Sequence, residues 1–65
     1  MKKSELKKDV KVWCWWKSRT LYYTGKVVRE RYKFKVVRER YQFVDASGLL
    51  AMIDEEQLKE LEVIV

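Results

Sequence analysis

KVVRERYKF at residues 26–34 is followed at once by KVVRERYQF at residues 35–43, identical at eight of nine positions. Paired valines with a Tyr and a Phe favour extended chain. Nine is odd, so Val27 and Val36 fall on opposite faces of a strand of period two. If both copies are to show the core the same residues, a turn or bulge must fall between or within them. The copies therefore read as successive strands of a hairpin. A helical repeat is excluded, because nine residues are too few for a solenoid unit and two copies cannot stack into one. A local duplication and human design would each leave such near-identity.

Outward from the repeat, the pattern stays extended. Val10, Val12, Cys14 and Trp16 alternate with Lys11, Trp13, Trp15 and Lys17, which predicts a strand. Lys17 to Thr20 is polar and predicts a turn. Leu21 to Val28 predicts a second strand, in which Gly25 marks a bulge or bend. Beyond the repeat, Asp45-Ala46-Ser47-Gly48 is a turn signal and Leu49 to Ile53 a short apolar strand. Asp54 and Gln57 have the spacing of a capping box, and Leu58 and Leu61 share one face of the helical turn it starts. Glu62 to Val65 fits a closing strand. The expectation is all-β: a single five-stranded SH3-like barrel over residues 6–65, with a helical turn before its last strand and a basic arm at residues 1–5.

Sixty-five residues make one domain. A chain of this size buries only about 60% of the surface its unfolded form exposes, so the core is thin. One cysteine precludes an intramolecular disulfide, and the absence of histidine removes His-based zinc sites. With 48% hydrophobic and 38% charged residues the chain is too apolar for disorder. No apolar run approaches the roughly 18 residues that cross a bilayer, and MKKSELKKD leads into no signal-peptide core. A small soluble, intracellular and reduced protein is expected, with no membrane partner.

Catalysis finds little support. Gly25 and Gly48 are the only glycines, too few for a phosphate-cradling loop. The acids Asp54, Glu55 and Glu56 are accounted for by a helix N-terminus. Cys14 shares the inward parity of Val10 and Val12 and reads as a small buried hydrophobe. No catalytic residue, metal site or cofactor is expected, which leaves a binding module.

Charge is unevenly spread. The formal net charge is +5, yet residues 12–45 carry +6 and residues 46–65 carry −4. A basic body with an acidic end suggests an anionic partner. Lysine-rich surfaces that keep small β proteins soluble and block edge pairing have the same composition.

Several stretches, taken in order, resemble Tudor domains. Leu6-Lys7-Lys8-Asp9-Val10-Lys11-Val12 is similar to the Leu-x-x-Gly-Asp-x-Val that opens them. Trp16 followed by Leu21-Tyr22-Tyr23-Thr24-Gly25-Lys26-Val27 resembles their aromatic, short turn and Tyr-Tyr/Phe-x-Ala/Gly-Lys-Val/Ile. Phe43-Val44-Asp45 is similar to their Phe-Asp-Asp, and Ile53 to Leu58 to their closing Val-x-x-x-x-Leu. The resemblance implies a chromatin-type module that reads methylated lysine or arginine peptides. The implied cage is Trp16, Tyr23 and Phe43 with Asp45 as its acid, and Ser47 stands where a further aromatic often follows. Methylated cations bind aromatic faces at about 0.5–2 kcal/mol per contact. The same rings also suit a core that needs large side chains.

A second candidate site comes from parity. Trp13 and Trp15 lie opposite the apolar face of their strand, with Lys11 and Lys17. Along the first copy, Arg29, Arg31, Lys33 and Lys35 share one parity. Cations beside exposed aromatics are what nucleic-acid binding requires. In shape and charge the chain is similar to small archaeal DNA-binding barrels, so DNA is expected ahead of RNA, in a nuclear or nucleoid setting. Otherwise Trp13 and Trp15 pack beneath the N-terminal arm or mediate self-association. An engineered barrel without a natural partner is the third reading.

Overall fold

A computed structural model describes all 65 residues. After a 3-10 turn at Lys3–Glu5, the elements are β1 (Lys11–Cys14), β2 (Arg19–Tyr32), β3 (Lys35–Val44), β4 (Leu50–Asp54), α1 (Glu55–Glu60) and β5 (Glu62–Val63). The strands form one antiparallel sheet in the order β4-β3-β2-β1-β5. No backbone ladder joins β4 to β5, so the sheet is not closed on itself by hydrogen bonds.

The first strand stops earlier than its alternation predicts. Ser18 takes a positive φ of 50° and its N–H donates to the Trp15 carbonyl, which closes a turn over Trp15–Ser18. The first copy of the repeat is not a strand of its own. It continues Leu21–Val28 into the fourteen-residue β2, and the second copy supplies β3. Between Tyr23 and Val27 the register slips, with Gly25 at φ 89° between them. That bulge lets one long strand serve both the body and what extends beyond it.

The parity problem of the odd repeat is solved with both devices at once. Lys33 and Phe34 form a two-residue turn between the paired Tyr32 and Lys35, and a second register shift follows at Glu30/Arg31. Charge shows why that register is favoured. Arg29 faces Glu39 and Glu30 faces Arg38. Sliding β3 by one residue toward mirror pairing of the copies would set Arg29 against Arg40, Glu30 against Glu39 and Arg31 against Arg38, like against like throughout. In the observed register Arg40 reaches Glu30 at 2.9 Å and Arg29 reaches Glu39 at 3.5 Å. The extra residue also returns Tyr41 to the face of Val27, where it is buried.

The core consists of Val12, Cys14, Leu21, Tyr23, Tyr41, Phe43, Ala51, Ile53, Leu58 and Leu61. Strand alternation delivers the first eight, and α1 and its C-cap deliver the two leucines. The capping box forms as its spacing predicts: Gln57 N–H donates to Asp54 Oδ1 at 2.9 Å, and Asp54 N–H donates to Gln57 Oε1 at 3.2 Å. The N-terminal segment packs on this corner. The Met1 ammonium donates to the carbonyls of Leu58 and Leu61 at 3.2 and 2.6 Å, and Lys3 pairs with Glu55 at 2.7 Å. Residues 1–5 are thus tied to α1 and its C-cap.

Candidate nucleic-acid interface

None of the ten buried core residues comes from residues 26–40, and only Val27 at the arm's base packs against them. Past Val27 and Val28 the hairpin of β2 and β3 has no third layer to pack on, and it projects as a two-stranded arm. The molecule is accordingly elongated, 39 Å by 23 Å by 21 Å.

The arm owns the charge. Residues 26–40 contain seven Lys and Arg against two Glu, and the rest of the chain contains eight of each sign. The body is formally neutral, and the whole net charge of +5 sits on the arm. Both arm acids are engaged, Glu39 by Arg29 and Glu30 by Arg40. Lys26, Arg31, Lys33, Lys35 and Arg38 form no ion pair.

At its tip the arm is aromatic. Phe34 is 100% exposed and Tyr32 is 65% exposed, with the Lys33 ammonium 5.5 Å from the Tyr32 ring centroid. Lys33 and Phe34 hold φ of 48° and 67°, the left-handed conformation that two-residue hairpin turns require and that Asn-Gly usually supplies. Any side chain with a Cβ is strained there, by about 1–2 kcal/mol per residue.

The four arm residues singled out by parity do not form one basic face. Arg29 and Arg31 share a face, but Arg29 is engaged by Glu39. Lys33 lies in the turn, and Lys35 pairs across it with Tyr32 on the opposite face. The turn resets the alternation on which that reading relies, and the bulge falls beyond Lys35 on β3. Lys11, Trp13, Trp15 and Lys17 do lie on the surface, but at the other end of β2. Trp13 faces Thr20, and Trp15 meets Trp16 edge-on at 5.5 Å within the turn. The eight residues are therefore two clusters at opposite ends of a long strand. Tyr32 and Phe34 stand out at the tip in the structure, and the signal in the sequence for Phe34 is an apolar residue at the junction of two copies, where a hairpin must turn.

The residues of the implied aromatic cage are placed differently. Tyr23 is 5% exposed, Phe43 is fully buried, and their ring centroids lie 5.2 Å apart inside the core. Burial pushes the Tyr23 phenol above its ordinary pKa. Trp16 is half-buried against the core. Asp45 is occupied by the turn between β3 and β4. Its Oδ1 accepts from Ser47 N–H, Ser47 Oγ and Leu49 N–H at 2.9, 2.7 and 3.0 Å, and its Oδ2 accepts from Arg19 at 2.9 Å. These bonds, that from the Ser47 hydroxyl foremost, hold its carboxyl below the ordinary carboxylate range.

Cys14 is buried, as its parity predicts. An open cleft of about 420 Å³ separates the arm from the start of α1, with Val36 and Arg38 on one wall and Asp54, Glu55 and Glu56 on the other. No helix is long and apolar enough to cross a membrane. No protein-family model, curated protein or solved structure matches the chain.

Proposed function

We propose that this chain is a nucleic-acid-binding module whose contact element is the arm formed by β2 and β3. One observation carries the reading: the entire net charge resides on an element that supplies none of the ten buried core residues, with five of its cations in no ion pair. Charge on a projecting ribbon discourages edge pairing, and a polyanionic backbone rewards it further through counterion release. The acids lining the cleft beside α1 repel phosphate and face Arg38 across it, so Lys26, Arg31, Lys33 and Lys35 are the cations left for contact.

The same reading includes the body. The strand order, a long β2 bent at Gly25 and a helical turn between β4 and β5 support a small SH3-like barrel of the Tudor kind. Methyl-peptide reading is the weaker function for it. A cage needs open rings, and here Tyr23 and Phe43 are enclosed while Asp45 is spent on its turn.

Fluorescence anisotropy of a labelled duplex provides the test. Affinity should fall with salt, with a logarithmic slope of about −3.6 if Lys26, Arg31, Lys33 and Lys35 each meet a phosphate. Replacing Arg31, Lys33 and Lys35 by Gln should flatten the slope and weaken binding at every salt concentration. No complex at low salt, an unchanged slope in the variant, or binding to anionic vesicles in place of duplex would overturn the reading.

A further inference from the structure

We infer that the arm tip is a wedge for duplex DNA: Phe34 enters the minor groove and inserts between base pairs, while the cations behind it hold the phosphates on either side. This rests on the nucleic-acid reading and goes further, because charge alone would make the arm a sliding contact without effect on the shape of the duplex.

Three observations converge on the tip. Phe34 is a large apolar side chain with its whole surface in water, and it touches no part of the core. It occupies a left-handed turn position where glycine or asparagine would be relaxed, so nothing in the fold of the arm calls for a ring there. Lys33 and Lys35 flank it directly in sequence, with Arg31 one pair behind on β2. Apolar side chains with basic neighbours are the means by which minor-groove proteins unstack a base step and kink the duplex, by about 20–90° toward the major groove.

The shape argues for a duplex over a single strand. A single-strand binder lays successive bases along a surface that carries several aromatic rings within a basic groove. Here the exposed rings of the arm, Phe34 and Tyr32, are gathered at a point two residues wide. A point of that kind penetrates a stack and cannot track a strand.

The experiment uses the whole chain and a short duplex labelled at both ends for energy transfer, with 2-aminopurine at internal positions to report unstacking. The wild type should shorten the end-to-end distance and raise 2-aminopurine emission. Phe34→Asn should abolish both signals and weaken binding by about tenfold, the lower range of one lost ring–base stack. Asparagine tolerates the left-handed turn, so that loss could not come from an unfolded arm. Phe34→Leu, still apolar, should keep a measurable kink. Three results would overturn the wedge: a salt-dependent complex with a straight, fully stacked duplex; a kink that survives in Phe34→Asn; or tighter binding to the single strand than to the duplex. Each leaves charge-driven binding standing, whereas no complex at low salt removes both proposals.

Discussion

Phe34 and Phe43 hold the same place in the two copies of the repeat, and they have opposite surroundings. Phe43 is wholly enclosed in the core, and Phe34 is wholly in water at the tip of the arm. Tyr41 and Tyr32 repeat the contrast at 4% and 65% exposure. A hairpin folds one copy back on the other, so only the copy nearer the body can supply the core.

Truncation should therefore separate the two. Phe43→Ala removes the largest side chain among the fully buried ones, at a cost of about 3–5 kcal/mol. Small domains have total stabilities of about 5–15 kcal/mol, so thermal melts followed by circular dichroism should show a large drop or no transition at all. Phe34→Ala should melt with the wild type. Equal losses would mean that the arm packs on the body.

One copy of the repeat should be dispensable for folding. Deleting residues 26–34 joins Gly25 to Lys35 and brings Val36 to the position of Val27, with Tyr41 and Phe43 undisturbed. Four basic residues and one acid leave, which lowers the net charge from +5 to +2. The shortened chain should show a cooperative melt close to that of the full chain, and duplex binding at physiological salt should vanish. An unfolded product would show that the arm supports the body.

The charge ladder should act within the arm alone. Glu39→Arg places like charges opposite Arg29, and adding Arg29→Glu restores attraction. Cross-strand pairs of this exposed kind couple by about 0.2–1 kcal/mol. Because the arm lies outside the core, the effect should appear as amide exchange at Arg31–Arg38 rather than as a change in the global melt. No coupling in the double variant would mean that the bulge and the turn fix the register without help from charge.

Asp45 sets an acid limit on the turn between β3 and β4. Its carboxyl is held below the ordinary range in the folded chain, first by the Ser47 hydroxyl and then by Leu49 N–H. A depressed folded pKa gives stability that is complete above the unfolded value, near 4, and is lost as pH falls through the folded value. Melting temperatures should drop below about pH 4 in the wild type, and the gap to Asp45→Asn should narrow over the same range. A constant gap would assign the turn's stability to its backbone alone.

Much of the fold is legible in the residues. The Asp54/Gln57 capping box and the turn at Asp45–Gly48 rest on local chemistry and form as their spacing predicts, while the alternation of Val10–Lys17 forms a strand only over Lys11–Cys14. The repeat is legible as a hairpin, because its odd length demands an irregularity. Which side chains face outward along the arm is not, because a turn and a bulge invert the alternation within a few residues. Nor does a motif show whether a ring is open or enclosed. Trp16, Tyr23 and Phe43 match an aromatic cage in order and type, while burial is decided by the partners that strand pairing brings from distant positions, such as Leu21, Ile53 and Leu61.

A neutral body with its positive charge at one end is an electric dipole along the long axis of the molecule. In the field of a polyanion such an object feels torque before it feels contact, and it arrives tip first. Orientation, ordinarily the slow part of a protein's search for its binding pose, would then be complete on encounter.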